Sequence, residues 1–210
     1  MKIAVFGGSG KTGQLFIKAA LEAGHTVRAL VRPPAARDGL SELSAHWIEG
    51  NAQDGDAVRA TLEDQDCAIS FLGNFNRKPN TEVSDASKNV LKGLADAGIK
   101  RFVVISTIGT GDSFKPMKSL PFKLIIKTVA RNIWIDRERQ EALVKASTSD
   151  WTIIRPAGLR DEGDPSAYQI SPSNGPFPKV LTTPRAAVAA FGLAALGDAT
   201  LIGKTVCQFS

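Results

Sequence analysis

The sequence is short of several residue types, and each shortage excludes something. Among 210 residues there is one tyrosine, Tyr168, and aromatics make up 7%. The two cysteines, Cys67 and Cys207, are 140 positions apart in apolar contexts. They fit reduced core residues and exclude a disulfide framework. The two histidines, His25 and His46, belong to no Cys/His cluster with metal spacing, so no metal site is expected. There is no G-x-S-x-G elbow, which removes the support for a serine hydrolase. No run reaches the roughly 18 apolar residues of a membrane span. The apolar start, Ile3–Phe6, turns into glycine too soon for a secretion signal, so a soluble cytoplasmic protein is expected. What remains is an ordinary globular composition, 43% hydrophobic and 22% charged, of a length suited to one domain. The net charge of +5 permits an anionic ligand without requiring nucleic acid.

Apolar runs alternate with helical patterns. Strands are predicted at Lys2–Phe6, His25–Val31, Trp47–Ile48, Cys67–Leu72, Arg101–Ser106, Trp151–Arg155 and Thr205–Phe209. Helices are predicted at Gln14–Ala23, Ala57–Leu62 and Thr81–Ala97, from Ser119 to Ser147 with a break near Asn132, and from Thr183 to Leu196. Continuous apolar strands separated by helices predict an α/β domain, a parallel sheet covered on both faces. The proline-rich stretch Asp161–Pro178 reads as loop with short strand pieces.

Between the first strand and the first helix lies Gly7-Gly8-Ser9-Gly10-Lys11-Thr12-Gly13. Gly8, Gly10 and Gly13 satisfy G-x-G-x-x-G. One glycine allows the tight turn, another lets a pyrophosphate approach the backbone, and the third lets the helix pack on the strand. The helix N-terminus then offers free N–H groups to the anion. Gly10-Lys11-Thr12 also copies the end of a nucleoside-triphosphate P-loop. That motif needs a glycine five residues earlier, where Val5 stands, so it fails on spacing.

The second strand ends Val31-Arg32, with no acid to hold a ribose 2′-hydroxyl. Arg32, 19 residues after Gly13, suits a 2′-phosphate instead, with Arg37 in the following loop as a second base. NADP(H) is therefore expected over NAD(H).

These residues, with Phe71-Leu72-Gly73, Val103–Thr107 and Trp151–Pro156 in the same order, resemble the atypical short-chain dehydrogenase/reductases with an NAD(P)H-binding domain, and among them the flavin reductase and biliverdin-IXβ reductase group. The resemblance spans nearly the whole chain. It implies a Rossmann sheet of about seven strands in the order 3-2-1-4-5-6-7, with a small irregular C-terminal substrate region. It implies that Gly7, Ser9, Gly10, Lys11 and Thr12 hold the pyrophosphate and Arg32 the 2′-phosphate. Asn51 and Ala52 would approach the adenine, although the family often has aspartate where Asn51 stands. Leu72, Gly73 and Asn74 would pass over the adenine ribose and pyrophosphate. Ser106 and Thr107 would sit near the nicotinamide as catalytic candidates, and Pro156, Ala157 and Gly158 would line its face. Arg137 falls near positions that reach cofactor or substrate; it could equally pair with Glu141, four residues on. The chain is read as one domain, 1–210, with residues 112–147 and 157–183 on the substrate side.

The family's usual Tyr-x-x-x-Lys pair is absent, because four residues after Tyr168 comes Pro172. The histidine frequent in the flavin reductases after the sixth-strand proline is also missing. A hydride acceptor that needs no strong protein acid, flavin- or quinone-like, survives these losses, because the nicotinamide carries the chemistry. Tyr168 and Phe177 are candidates to stack on such an acceptor, with loop anchoring as their alternative. The expected activity is an NADPH-dependent reductase. The alternatives are a redox sensor that binds NADP(H) and a protein partner, and an assembly factor that uses its surface.

Residues 115–139 hold seven bases and two acids. Lys123, Lys127 and Arg131 share one helical face, with Leu124, Ile125, Ile126, Val129 and Ile133 as the apolar remainder. A membrane-surface helix, a lid, or a core-packed helix with a solvated basic edge all fit, and the last is expected.

Overall fold

A computed structural model describes residues 1–32, 43–74, 76–178 and 182–210. Strand β1 (Lys2–Phe6) leads to helix α1 (Lys11–Glu22), followed by β2 (Thr26–Val31), β3 (His46–Glu49), α2 (Gly55–Leu62) and β4 (Cys67–Ser70). Then come α3 (Glu82–Asp96), β5 (Arg101–Ile105), α4 (Leu120–Lys127), α5 (Arg131–Ala146) and β6 (Asp150–Pro156). The chain ends with β7 (Gly158–Arg160), β8 (Gln169–Pro172), β9 (Thr182–Pro184), α6 (Arg185–Gly197) and β10 (Lys204–Phe209).

The eight-stranded sheet runs β3-β2-β1-β4-β5-β6-β10-β8. Every pairing in it is parallel except that of β8 with β10. The expected order 3-2-1-4-5-6-7 is therefore present, with β10 as the seventh strand. An antiparallel eighth strand is added from the stretch read as loop with strand pieces.

Alternate residues of each strand feed two cores. Ile3, Val5, Ala29, Ile69, Val103 and Ile154 pack with Phe16 and Ile17 of α1 and Val188 of α6. Ala4, Phe6, Leu30, Ala68, Val104 and Ile153 face Val58 and Leu62 of α2, Val90 and Leu94 of α3 and Val144 of α5. The period of two along a strand thus covers both faces. Cys67 and Cys207 are free and buried, and burial pushes their thiols up to about 11 and about 12.

The long helical pattern is two helices, α4 and α5, with the break expected near Asn132 falling at 128–130. Two sequence expectations need correction. Thr182–Pro184 does not start a helix; it is β9, paired with β7 in a separate two-stranded sheet. The basic helix is core-packed only through Ile126, with Phe122 beside it, while Leu120, Leu124 and Ile125 of α4 are exposed rather than covered.

Candidate cofactor site

The carboxyl ends of β1, β2, β4 and β5 frame the site. Gly7 takes φ +81°, and a Cβ there would lie 2.9 Å from the Phe71 carbonyl carbon. A Cβ on Gly13 would lie 2.4 Å from the Gly7 carbonyl oxygen, so only glycine lets α1 come this close to β1. A Cβ on Gly10 would meet only that oxygen, at 3.4 Å, and the rest of this face is open. Gly10 is the N-cap of α1, which has no side-chain cap and no acid in its first turn. The first N–H groups of α1 are therefore left for an anion.

In front of this turn is a cleft of about 300 Å³. It brings together Gly7, Ser9, Gly10, Arg32, Asn51, Ala52, Leu72, Gly73 and Asn74, all expected, with Gln53, Glu82 and Val83, which were not. Leu30, Ala52 and Ala86 supply apolar wall, and the exposed Arg32 stands at the end of β2. Asn51 Oδ1 accepts from the Gln53 N–H at 3.1 Å. Asn74 donates to Asn80 at 3.0 Å and to Glu82 at 2.8 Å. Arg37 lies outside the described residues. A more open hollow of about 900 Å³ follows α1 through Gln14, Leu15 and Lys18. It contains no glycine of the turn and no β1, β2 or β4 residue, so the smaller cleft is the better candidate.

Lys11 is placed differently from its expected pyrophosphate contact. Its Nζ is 2.6 Å from Asp161, whose other oxygen receives Arg185 Nε at 2.7 Å. Arg185 Nη1 also reaches Thr12 Oγ1 at 3.3 Å. Lys11 and then Arg185 hold the Asp161 carboxyl below its ordinary range. Asp161 and Arg185 were not singled out from sequence, because contacts between α1, the segment after β7 and α6 have no local spacing signal. Gly8 is buried against Ala29 and Ile17, so its part is packing beneath the turn.

At the β5 and β6 ends, Ser106 is buried and its hydroxyl donates to Glu141 Oε1 at 2.7 Å. Glu141 also accepts from Arg155 Nε at 2.9 Å and Nη2 at 2.6 Å. Arg155 reaches Asp112 with Nη1, and Asp112 receives the Ser173 hydroxyl at 2.5 Å. Burial disfavours the Arg155 charge, but Glu141 and Asp112 outweigh it and its pKa is raised. This network was missed from sequence. Its one signal is an arginine inside the apolar strand Trp151–Pro156, which needs an acid partner once buried.

Thr107 is half-buried, and its Oγ1 makes only a long 3.4 Å contact with the Ile108 carbonyl. Pro156 and Ala157 are buried, and the Ala157 N–H donates to the Gln208 carbonyl at 2.8 Å; Gly158 is exposed. Arg137 does not pair with Glu141, which Arg155 and Lys145 occupy. Arg137 Nη1 donates to Gln140 Oε1 at 2.8 Å, and Nη2 would lie 3.1 Å from a Cβ on Gly73. Burial without a carboxylate contact lowers its pKa to about 10. Phe177 is 3% exposed and sits edge-on to Phe209 at 6.1 Å. It anchors its segment and has no free face for an acceptor. Tyr168 packs on Phe191 at 5.4 Å between centroids and is only partly covered.

Known proteins share this fold. ChuY, an anaerobillin reductase from Escherichia coli O157:H7, superposes with a TM-score of 0.81 at 23% identity, over 100% of this chain and 97% of its own. A short-chain dehydrogenase/reductase from Veillonella parvula, solved with NADP, gives 0.83 at 16%, over 100% and 94%. At these identities the likeness shows the fold. The UPF0659 protein C216.03 of Schizosaccharomyces pombe is 29% identical over 175 residues, 75% of this chain and 70% of its own. The NAD(P)H-binding family model matches residues 7–199, and the chain belongs to that family.

Proposed function

We propose that this protein is an NADPH-dependent oxidoreductase that reduces a small conjugated acceptor, flavin- or quinone-like. The observation that carries the reading is the cleft in front of the glycine turn, with a guanidinium and no acid at the end of β2. The turn fits a dinucleotide: Gly10 leaves open the face a pyrophosphate needs, and α1 is uncapped. Gly7, Ser9, Gly10, Thr12 and Gly13, with the backbone N–H of Lys11 rather than its Asp161-paired ammonium, would form the pyrophosphate cradle, and Gly8 would support it from beneath. Arg32 would bind the 2′-phosphate, Asn51 and Ala52 would flank the adenine, and Leu72, Gly73 and Asn74 would cover the adenine ribose and pyrophosphate. Pro156, Ala157 and Gly158 would flank the nicotinamide, and Arg137 would serve the middle of the dinucleotide from beside Gly73. A reductase among the structural neighbours, and another neighbour solved with NADP, support the assignment.

When bound, the cofactor supplies the hydride. The chain's own groups position the reactants. The Ser106 proton is committed to Glu141, so toward a bound nicotinamide Ser106 would act only as an acceptor of hydrogen bonds. Thr107, with its weakly engaged hydroxyl, is the group that would orient the acceptor. Neither hydroxyl has a cationic partner among the described residues that would make it a stronger acid, so the acceptor's proton would come from water. Residues 112–147 and 157–183 would build the substrate side. The same shortage of acid–base groups favours the second reading, a sensor that binds NADP(H) without turnover.

The test is calorimetric titration with NADPH, NADH and NADP⁺, followed by addition of FMN, riboflavin and quinones while the nicotinamide absorbance is recorded. NADPH should bind more tightly than NADH and lose absorbance with an acceptor. Arg32→Ala should weaken NADPH about 10- to 30-fold, the scale of lost charge-assisted bonds, and leave NADH within about twofold. Equal affinity for both cofactors would sink the NADP preference. Tight binding without turnover would select the sensor, and no dinucleotide binding would overturn both readings.

A further inference from the structure

Helix α4 turns its apolar side outward. At 100° per residue, Leu120, Leu124, Thr128, Pro121 and Ile125 fall in succession within an arc of roughly 140°. All five are exposed, and Leu120 and Leu124 are 77% and 63% accessible. Thr128 is not a polar interruption, because its hydroxyl donates to the Leu124 carbonyl at 2.7 Å. Val129, just past the helix, extends the patch at 50% accessible. The buried Ile126 lies on the opposite side, in the small core of Ile108 and Met117 beyond β5. Lys123 and Lys127 flank the arc, each with its ammonium 5.4 Å from the Phe114 ring centre. Residues 113–135 carry five bases, Lys115, Lys118, Lys123, Lys127 and Arg131, and no acid.

We infer that α4 is a surface-docking helix for a lipid bilayer containing anionic lipids. Contiguous exposed aliphatic side chains mark an interaction surface. The charge pattern selects the occupant. A second copy meeting this face across a two-fold axis would set its bases against their own equivalents. A bilayer with acidic headgroups accepts Leu and Ile at the acyl boundary and attracts lysines without demanding directional bonds. Four of the five bases are lysine, which suits a diffuse field better than bidentate recognition. Among the described residues no helix is long and apolar enough to cross a membrane, so α4 would lie on the surface. Because α4 follows β5, docking would bring the cofactor end of the sheet toward the lipid.

The experiment is co-sedimentation of the full chain with vesicles of phosphatidylglycerol and phosphatidylcholine, or of phosphatidylcholine alone, at low and high salt. Binding is expected to the anionic vesicles only, and to fall at least tenfold as salt screens the charges. The exposed pair Leu120→Ser/Leu124→Ser should weaken it at least tenfold, and Lys118→Glu/Arg131→Glu likewise, with thermal unfolding and NADPH affinity unchanged. No sedimentation, equal binding to neutral vesicles, or indifference to both pairs would overturn the inference. So would a dimer by light scattering that the leucine pair abolishes, which would make α4 a contact between copies. A leucine pair that impairs acceptor turnover without changing vesicle binding would make α4 a lid and overturn it as well.

Discussion

At the scale of single residues, the glycines of the turn separate folding from binding. Gly13→Ala gains the helix propensity of alanine, about 1 kcal/mol. It also drives a methyl to 2.4 Å from the Gly7 carbonyl oxygen, a backbone atom that cannot swing away. Overpacking of this kind costs about 1–3 kcal/mol, so the clash should win and urea unfolding should shift down. Gly10→Ala meets nothing closer than 3.4 Å and keeps an ordinary φ of −73°. Its unfolding midpoint should stay put while NADPH affinity falls at least tenfold, because the methyl stands on the face meant for phosphate. Unchanged affinity in Gly10→Ala would move the pyrophosphate elsewhere. The spacing of these glycines was legible because it is a local demand of the turn. The partner of Glu141 was not. A spacing of four offered Arg137, but β6 delivers Arg155, fully buried and bidentate, and that geometry is set by tertiary packing.

At the scale of elements, α3 borrows its cap from α5. Thr81, at the N-cap position, gives its hydroxyl to Asp85 and makes no side-chain cap. The buried Asp136 supplies it across the helix interface, accepting from the Val83 and Ser84 N–H groups at 2.9 and 3.2 Å and from the Ser84 hydroxyl. Asp136→Ala should cost about 2–3 kcal/mol, because three buried donors lose a charged acceptor. Asp136→Asn should cost less, since its amide oxygen still accepts. Hydrogen exchange should speed first at the start of α3, which borders the cofactor cleft; uniform loosening would argue against a local cap. Sequence reading placed α3 by its own period and could not see this cap, whose acceptor is 52 or 53 residues from its donors. It misjudged α4 for a related reason. Period shows that a helix has an apolar face, whereas the rest of the fold decides which side is covered.

At the scale of the molecule, a parallel sheet covered on both faces was legible in the continuous apolar strands alternating with helices, whereas the order of its seven strands was implied by the family resemblance. The short strands β7, β8 and β9 owe their conformation to the neighbours they pair with, which leaves no pattern of their own. The Arg155 network joins these scales, tying β6 to α5, to the turn holding Asp112, and to Ser173 beyond β8. Burial pushes the Asp112 carboxyl up, but Arg155 and Ser173 outweigh it, and its folded pKa lies below the ordinary 3.8. The unfolded chain therefore binds this proton more readily. The contribution of Asp112 to stability is complete above the ordinary carboxylate range and is lost as pH falls through the depressed folded value. Asp112→Asn should thus be less stable than the parent at pH 7. The gap in thermal midpoint should narrow as pH falls from 5 to 3, because the parent loses what the variant never had. Since the Asp112 side chain is 51% exposed, solvent screening keeps the effect modest. A gap that stays constant across this range would mean that Asp112 acts only through its hydrogen bonds, and that Glu141 alone balances the buried guanidinium.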